Sequence, residues 1–338
     1  MMKILITGAA GFIGYHLTKS LMLNPDELFG IDNLQKNHDH EIKLKRLEQL
    51  HIDQKLLFDG KHSRNKNLTF FQIDLLEKQK LEDLFSQHNF DVVIHLAAQT
   101  GVRQSATHSQ IYIDNNITAF NNLLECCREF NVKRMVYASS SSVYGMHKNI
   151  PSSETNSTDA PTSIYAVTKK TCELLASTYT LQNNMISIGL RFFTVYGPWC
   201  RTDMAAYIFM KALVEKAELN LFNYGDMLRD YTYVGDVCNS IVLICRKILS
   251  DKIESPYHEV YNIGNRNATT LGDYLSAIEN EIGVRASYQL KPMQDGEVQS
   301  SYADTKKLED FIGFKPDTPL SKGVKEMAAW FRDYNKSL

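Results

Sequence analysis

The stretch Thr-Gly-Ala-Ala-Gly-Phe-Ile-Gly, residues 7–14, follows a short apolar run and precedes a segment with helical apolar spacing. Its three glycines permit a tight turn and let backbone N–H groups approach a pyrophosphate at a helix N-terminus. Asp32 ends the second predicted strand, 24 residues after Gly8. A carboxylate there accepts ribose hydroxyls and repels a 2′-phosphate. The pattern predicts an NAD site; the alternative is a purely structural glycine-rich turn.

Apolar runs without alternation recur beyond this turn and are typical of strands buried on both faces. The predicted strands are Lys3–Thr7, Leu28–Asp32, Leu68–Asp74, Asp91–Ala98, Arg134–Ser139 and Met185–Phe192. Helical segments separate them, which predicts an α/β fold, a Rossmann-type doubly wound parallel sheet with a smaller α/β C-terminal lobe. We expect a polar insertion at about 35–66 over the sheet edge, and a return to the sheet at about 259–264.

The predicted domains follow from this rhythm. Residues 1–193, with about 236–270, form the NAD-binding Rossmann domain. Residues 194–235 and 271–338 form the smaller lobe, to which we assign the substrate.

Composition excludes several classes of protein. A formal net charge of −2 and the lack of any Lys/Arg run argue against a nucleic-acid partner. No apolar stretch approaches the ~18 residues of a membrane span, and the N-terminus reads as a strand and not as a signal peptide. Six cysteines without a C-x-x-C pair indicate a reduced, cytoplasmic protein. The segment 38–40 (His-Asp-His) has no further ligand signal, so no metal is expected.

A tyrosine and a lysine four residues apart lie on one side of a helix. Tyr-x-x-x-Lys occurs five times in the chain, so the catalytic pair has to be identified from where each pair lies in the predicted fold. Only Tyr165, with Lys169, follows the fifth predicted strand by one loop, and the serine run 139–142 lies at that strand's carboxyl end. Ligands of open parallel sheets bind at such ends. Tyr165 and Lys169 are therefore the predicted catalytic pair.

These residue types suit the oxidation of an alcohol. A phenol with its usual pKa of ~10 is a poor base at neutral pH, but a neighbouring ammonium and a positive nicotinamide favour the phenolate. Tyr165 then takes the substrate hydroxyl proton while a hydride leaves the same carbon. A serine hydroxyl from residues 139–142 holds the oxygen.

Three further positions carry weaker signals. Asp74 ends the third predicted strand, where a side chain reaches toward an adenine. Ala97 and Ala98 close the fourth, where small side chains leave room for a cofactor. Simple packing is the alternative for all three.

The sequence resembles the extended short-chain dehydrogenase/reductase family of NAD-dependent sugar epimerases and dehydratases nearly from end to end. Within it, the chain most resembles UDP-glucuronate 4-epimerases. The motifs that carry the likeness are TGAAGFIG (7–14), DNL (32–34), HLAAQ (95–99), SSSSVYG (139–145), YAVTK (165–169), RFFTVYGPW (191–199), Arg201, DM (203–204) and RDYTYV (229–234). The chain departs from the family at Cys200, at Thr202 and at 295–297 (Asp-Gly-Glu), where the family usually has Gly, Pro and Pro-Gly-Asp.

The resemblance implies a role for each matched residue. The catalytic residues are Tyr165, Lys169, Ser140 and Ser142. The residues expected to bind NAD are Gly8, Gly11, Phe12, Ile13, Gly14, Asp32, Asn33, Asp74, Leu75, Leu96, Ala97, Ala98, Tyr165 and Lys169. The residues expected to bind the UDP-sugar are Ser141, Ser142, Thr194, Arg201, Arg229 and Glu297, with Arg229 on the diphosphate and Glu297 on the uridine ribose; ordinary surface charges are the alternative for these last two.

The serine run also separates the chemistries of the family. Family dehydratases place an Asp-Glu pair after the catalytic Ser/Thr, and family decarboxylases place a Glu there. Ser141 and Ser142 stand at those positions, and neither is a strong acid or base. This favours C4 epimerisation, from UDP-glucuronate to UDP-galacturonate, over elimination or loss of CO₂.

The carboxylate of a uronic acid needs firm binding, because oxidation at C4 makes a β-keto acid that tends to lose CO₂. Hydroxyls of Ser141, Ser142 and Thr194 are expected to hold it by charge-assisted hydrogen bonds. Small residues that merely admit the backbone to the cofactor are the alternative.

Four alternatives to this reading remain open. A neutral UDP-hexose or UDP-N-acetylhexosamine 4-epimerase is one; a 4,6-dehydratase and a decarboxylase are two more; the last is a non-catalytic NAD-sensing protein, against which the Tyr165, Lys169 and Ser140 set argues. By family likeness we expect a homodimer built through a four-helix bundle of the helix near 111–130 and the Tyr165 helix. We expect the UDP-uronic acid product to be used in the synthesis of a surface polysaccharide.

Overall fold

The computed structural model describes residues 1–37, 39–146, 149–250, 252–294 and 298–336. Contacts between residues divide the chain into two compact units, each assembled from three stretches. The first unit holds Met1–Gly145, Ser157–Arg191 and Cys238–Tyr261; the second holds Met146–Asn156, Phe192–Val237 and Asn262–Leu338. This grouping assigns 146–156 and 262–270 to the second unit. The functional domains named from the sequence stay a prediction.

Both units contain β-strands, which are numbered here in chain order. They are β1 (Lys3–Thr7), β2 (Glu27–Asp32), β3 (Ser63–Asn65), β4 (Leu68–Gln72), β5 (Val92–His95), β6 (Arg134–Ser140), β7 (Ile186–Phe192), β8 (Thr194–Tyr196), β9 (Leu219–Phe222), β10 (Leu228–Tyr233), β11 (Tyr257–Ile263), β12 (Ala268–Thr270), β13 (Tyr288–Lys291) and β14 (Ser300–Ser301).

Helices alternate with these strands over most of the chain. They are α1 (Phe12–Leu21), α2 (His40–Gln49), α3 (Gln54–Phe58), α4 (Lys78–Gln87), α5 (Val102–Thr107), α6 (Ser109–Ile113), α7 (Ala119–Glu129), α8 (Ile164–Asn183), α9 (Ala205–Glu215), α10 (Val234–Ile248), α11 (Leu271–Ile282), α12 (Lys306–Ile312) and α13 (Leu320–Lys336). A π turn, Asp114–Thr118, joins α6 to α7, and a 3₁₀ turn, Ser141–Tyr144, follows β6.

An eight-stranded sheet in the order β11-β7-β6-β5-β1-β2-β4-β3 forms the centre of the first unit. Strand β1 pairs in parallel with β2 on one side and β5 on the other, and β4 and β6 continue the parallel pairing outward. Chain order thus reverses between β1 and β5, which is the switch point where such sheets bind ligands. The predicted mostly parallel, helix-flanked sheet is confirmed.

Two predicted strands are shorter than the apolar pattern suggested. Strand β5 ends at His95, because the next two backbone N–H groups both bond to Thr7. The Leu96 N–H donates to the Thr7 carbonyl oxygen at 3.1 Å, and the Ala97 N–H donates to the Thr7 side-chain Oγ1 at 3.2 Å. Strand β4 ends at Gln72, two residues before Asp74. The functional positions therefore lie in loops just past the strand ends.

The polar, helix-prone insertion at 35–66 contains the helices α2 and α3, and it also contains the strand β3, which the sequence pattern did not reveal. Strand β3 pairs antiparallel with β4 and forms an edge of the sheet. Its three residues, Ser-Arg-Asn, carry no apolar alternation, so periodicity gave no signal.

Apolar side chains from both sheet and helices form the core beneath the site. Leu5 and Phe29 of the sheet are buried with Phe120 and Leu123 of α7 and with Ala176 of α8. Burying each such side chain stabilises the fold by roughly 1.5–3 kcal/mol. All six cysteines are buried, and none of them forms a disulfide.

The second unit has its own small sheet, in which β10 pairs with β8, β12 and β14. Asp230 of β10 is fully buried and accepts backbone N–H bonds from Asn265 at 2.7 Å, Arg266 at 3.0 Å and Ala303 at 3.1 Å. One carboxylate thereby fixes two separate loops to the strand. Within the described residues, no helix has the length and apolarity to cross a membrane.

Candidate active site

The glycine turn between β1 and α1 leaves no room for side chains. Gly8 has φ +70°, and a Cβ there would lie 2.7 Å from the Ala97 backbone nitrogen. A Cβ on Gly14 would lie 2.0 Å from the Gly8 carbonyl oxygen, so α1 packs directly on the turn. Gly11 precedes the helix in extended conformation without a side-chain cap. The first-turn N–H groups, including those of Phe12 and Ile13, are thus suited to a pyrophosphate.

Asp32 ends β2 and is almost completely buried. Its Oδ1 accepts the backbone N–H of Leu34 at 2.9 Å and the ammonium of Lys43, from α2, at 2.8 Å. Both donors lie on one carboxylate oxygen, so Oδ2 is the oxygen suited to a ribose hydroxyl. The sequence argument missed Lys43, because its partner lies 11 residues away across an irregular segment and no local spacing links the two.

Asn33 and Asp74, two of the residues predicted to bind the cofactor, lie in contact with each other. The amide of Asn33 donates to Asp74 Oδ2 at 2.9 Å. An open cavity of about 550 Å³ borders both side chains and is also lined by Phe58 of the insertion. Leu75, beside them, is buried, and its carbonyl accepts a bond from Asn122 at 3.0 Å.

The loop after β5 places Leu96, Ala97 and Ala98, all half-buried, beside the glycine turn. His95 just before them is buried, and its Nδ1 lies 2.8 Å from the Thr7 hydroxyl. Burial, aided by the charge of Lys169, lowers the pKa of His95 to about 3. The imidazole is therefore neutral, and its hydrogen bond to Thr7 holds it in a fixed position.

Helix α8 brings Tyr165 and Lys169 to the end of β6. The helix begins after Ser163, whose Oγ accepts the Ala166 N–H at 3.1 Å. Lys169 is 2% exposed, and its Nζ donates to the carbonyl of Ala138 at 2.9 Å. Tyr165 is half-buried. One cation is thus fixed at the carboxyl end of the strand, on the helix face that carries the phenol.

The serine turn follows directly on β6. Ser140 Oγ accepts the Ser142 backbone N–H at 3.2 Å and the Ser142 hydroxyl at 3.0 Å. Because both of these donors point at Ser140, its own proton can be directed to a ligand oxygen. Ser141 and Ser142 lie half-buried in the same turn.

Asn116, which the sequence argument did not select, ties this region together. It lies in the π turn, and its amide bonds both ways with the Gln99 backbone, at 2.8 and 3.0 Å. The same amide donates to Thr168 of α8 at 2.9 Å. The loop after β5 is thereby linked to the catalytic helix. Asn116 points toward Gln99 and Thr168 from a π turn, and the apolar periodicity of the sequence does not predict such a turn.

Thr194 and Arg201 belong to the second unit. Thr194 is the first residue of β8 and is half-buried. Arg201 is paired with Asp203, with Nε to Oδ1 and Nη2 to Oδ2 both at 2.9 Å. A substrate carboxylate at Arg201 would have to share the guanidinium with Asp203. Their substrate-binding roles stay predictions.

Arg229 of β10 donates from Nη1 to the carbonyls of Leu228 at 2.9 Å and Gln299 at 3.2 Å. Both bonds hold the guanidinium against the backbone beside β10. The binding of a diphosphate by Arg229 stays a prediction. Glu297 lies outside the described residues.

The chain matches the family model described as "NAD dependent epimerase/dehydratase family" over residues 4–264. A relative from Staphylococcus aureus, "Protein CapI", is 40% identical over 347 residues, which cover 99% of this chain and 100% of that protein. "UDP-glucuronate 4-epimerase 4" of Arabidopsis thaliana is 35% identical over 342 residues, covering 98% of this chain and 75% of that protein.

A solved structure gives the same result for the fold. UDP-glucuronic acid 4-epimerase from Bacillus cereus, in complex with UDP-glucuronic acid and NAD, matches with a TM-score of 0.87 at 32% identity. The match covers 98% of this chain and 100% of that one. On this sequence and fold similarity, the chain belongs to the NAD-dependent epimerase/dehydratase family.

Proposed function

We propose that the chain is an NAD-dependent isomerase that interconverts UDP-glucuronate and UDP-galacturonate by inverting C4 through a transient 4-keto sugar. One observation carries the proposal: a phenol, a buried ammonium and a pair of linked serine hydroxyls lie on elements that meet at the end of β6. Similarity to UDP-glucuronate 4-epimerases supports the choice of sugar.

The residues of the glycine turn, with Asp32, Asn33 and Asp74, hold the cofactor in this proposal. Gly8 and Gly14 fit a dinucleotide because a Cβ on either would occupy the backbone space of the turn. NAD, when bound, supplies the acceptor and then the donor of the hydride at C4.

Tyr165 moves the proton. The ammonium of Lys169 stabilises the phenolate, which accepts the proton of the C4 hydroxyl and returns it once the keto sugar has presented its other face. Ser140 donates to the C4 oxygen, and Ser142 supports it through the 3.0 Å hydroxyl contact. The developing charge on that oxygen is thus met by a donor already oriented by the protein.

The serine turn also decides between retention and loss of the substrate carboxylate. Ser141 and Ser142 offer hydroxyl donors at the positions where family decarboxylases have a Glu and family dehydratases have an Asp-Glu pair. We assign carboxylate binding to Ser141, Ser142 and Thr194, a wider substrate role to Arg201, the diphosphate to Arg229 and the uridine ribose to Glu297.

The test is product analysis with purified protein. UDP-glucuronate, UDP-glucose and UDP-N-acetylglucosamine are incubated separately, and the nucleotide sugars are resolved by chromatography and proton NMR. We expect UDP-galacturonate from the first substrate, without CO₂ or a deoxy-keto sugar. Turnover of the neutral sugars alone would refute the carboxylate assignment, and release of CO₂ would indicate a decarboxylase.

We further propose that the protein acts as a cytoplasmic homodimer. Val167, Leu174 and Leu181 of α8 recur every seven residues and are 41%, 57% and 68% exposed. Ile111 and Ile113 of α6 are exposed as well. Apolar residues at heptad spacing are suited to helix packing in a four-helix bundle.

A further inference from the structure

A buried ion pair joins the catalytic helix to the two strands beside it. Glu173 of α8 receives two bonds from Arg191 of β7, Nε to Oε1 and Nη2 to Oε2, both at 2.8 Å. Each side chain is 4% exposed. A bidentate pair of this kind fixes both position and direction of the two groups.

The same carboxylate reaches the strand that leads to the serine turn. Ser139, the residue before Ser140, donates from Oγ to Glu173 Oε1 at 2.7 Å. Arg191 Nη1 donates to the hydroxyl of Tyr144, at the end of the serine turn, at 3.0 Å. The Glu173–Arg191 pair therefore holds both ends of the segment 139–144.

Helix geometry connects this pair with the proposed acid/base. Tyr165, Lys169 and Glu173 are spaced four residues apart and share one face of α8. Lys169 binds the carbonyl of Ala138, and Glu173 binds the hydroxyl of Ser139. Two consecutive residues of β6 are thus fixed to two consecutive turns of the helix, a register that a sliding or rotating α8 would break.

The charges of Glu173 and Arg191 make a shift of α8 relative to β6 energetically costly. Burial alone would raise the pKa of the Glu173 carboxyl, but Arg191 and Ser139 outweigh it, so the pKa lies below its ordinary value. Separating the partners would leave the buried Arg191 guanidinium without its carboxylate, and Glu173 with only the more distant ammonium of Lys170 at 3.7 Å, which is strongly destabilising. An apolar contact at the same place would hold the helix without fixing its axial position.

We propose that Glu173, held by Arg191, is a positioning residue that sets the register of α8 against the end of β6, and thereby the approach of Tyr165 to Ser140. The inference rests on the proposed function for the roles of Tyr165 and Ser140. It adds a group that touches neither substrate nor cofactor and acts through the hydroxyl of Ser139.

The chain offers a matched control at the other end of the same helix. Ser187 of β7 is 1% exposed, and its hydroxyl lies 2.5 Å from that of Thr180 in α8. Ser139 is 2% exposed and also bonds to α8. Ser139→Ala and Ser187→Ala each remove one buried strand-to-helix hydrogen bond, but only the first adjoins the catalytic turn.

Steady-state kinetics with UDP-glucuronate test the proposal. We expect Ser139→Ala to lower kcat on the order of tenfold, since small displacements of reacting groups have large effects on rate, with KM and bound NAD unchanged. Ser187→Ala should keep the wild-type kcat. Equal kcat values for the two variants would overturn the proposal.

A double-mutant cycle identifies Glu173 as the partner through which Ser139 acts. Glu173→Gln keeps the shape of the side chain, and assays below its thermal midpoint ensure folded protein. We expect kcat of Glu173→Gln to be reduced because its bond from Ser139 is weakened, and the Ser139→Ala/Glu173→Gln variant to lose less than the product of the two single losses. Losses that multiply would show that Ser139 acts independently of Glu173, which refutes the proposal.

Amide hydrogen exchange provides a readout that does not depend on the substrate. We expect faster exchange over residues 164–169 in Ser139→Ala and Glu173→Gln than in Ser187→Ala. Wild-type exchange in both would overturn the positioning role, whatever sugar the enzyme uses. Wild-type protein inactive on every UDP-sugar would instead refute the proposed function.

Discussion

Lys169 and Tyr165 occupy different environments although they lie one helical turn apart. The ammonium of Lys169 is buried and spends one of its three donors on Ala138, leaving two for the phenolate and a bound ligand. Tyr165 is half-buried and therefore reachable by a sugar hydroxyl. In the proposed mechanism, the fixed cation stabilises the charge and the accessible phenol transfers the proton.

Replacing Tyr165 by Phe tests this division. We expect kcat to fall by about 10²–10⁴-fold, the usual contribution of an acid/base group, while bound NAD is retained. Tyr179→Phe is the matched control, because it removes a phenol from the same helix that bonds to Asn121 at 3.1 Å, outside the proposed site. Turnover is measured by NMR of the sugar; wild-type activity in Tyr165→Phe would exclude it as the acid/base.

Lys43 changes the expected selectivity of Asp32 for the cofactor. A lone carboxylate would repel a 2′-phosphate, but the ammonium 2.8 Å from Oδ1 partly cancels that charge. Its side chain is 15% exposed, so solvent weakens the interaction without removing it. Discrimination between NAD and NADP therefore depends on both residues.

Removing Lys43 should sharpen the preference for NAD. For Lys43→Ala we expect the ratio of the Kd of NADP to that of NAD to rise about tenfold, roughly 1.4 kcal/mol for one partly exposed charge. Lys45→Ala is the control, since Lys45 pairs with Glu48 on the exposed side of the same helix. Calorimetric titration of cofactor-free protein gives both constants; an unchanged ratio would refute the role of Lys43.

The sequence predicts candidate site residues whose neighbours are local, and it gives no signal for residues whose partners are distant along the chain. The glycine turn and the Tyr165–Lys169 pair each lie within eight residues, so their spacing is itself the signal. Lys43 and Asn116 act through bonds that only the folded chain creates. No period of 2 or 3.6 residues encodes such contacts.

Among the elements, α8 has two faces of different character. One face carries Lys169 and Glu173, both buried, and the other carries Leu174 and Leu181, both exposed. A helix hydrophobic on a face away from the core is suited to a partner. Positions of strands such as β1 could be predicted because four consecutive residues, 4–7, are apolar or β-branched. The polar strand β3 could not.

Charges on the exposed stripe should separate the proposed dimer. We expect Leu174→Lys with Leu181→Lys to give monomers, because two desolvated ammonium groups oppose helix packing. Leu23→Lys, which changes an 86% exposed leucine beyond the end of α1, should leave the assembly intact. Analytical ultracentrifugation decides the question; a monomeric wild-type protein at micromolar concentration would contradict the proposal.

At the scale of the whole molecule, the chain leaves and re-enters each compact unit. The first unit receives its last stretch, Cys238–Tyr261, only after residues 192–237 have contributed to the second unit. That late stretch brings most of α10 and β11, with β11 next to β7 at the sheet edge. Neither unit is therefore continuous in sequence.

A fragment of residues 1–191 should not fold stably by itself. It lacks the buried side chains of Ile241, Ile244, Cys245 and Ile248, which are each at most 4% exposed. At roughly 1.5–3 kcal/mol per buried side chain, their loss is comparable to the whole stability of about 5–15 kcal/mol. Thermal unfolding followed by circular dichroism measures this; a cooperative transition at the wild-type midpoint would contradict it.

The shortness of strand β3 has a consequence for the behaviour of many copies together. An open sheet edge offers unpaired backbone groups to which a second chain can add a strand, the first step of aggregation. Here that edge is three residues long, and Arg64 at its centre is exposed. So short and charged an edge offers an incoming strand few backbone groups to bond to, and it disfavours strand addition at the β3 side of the sheet.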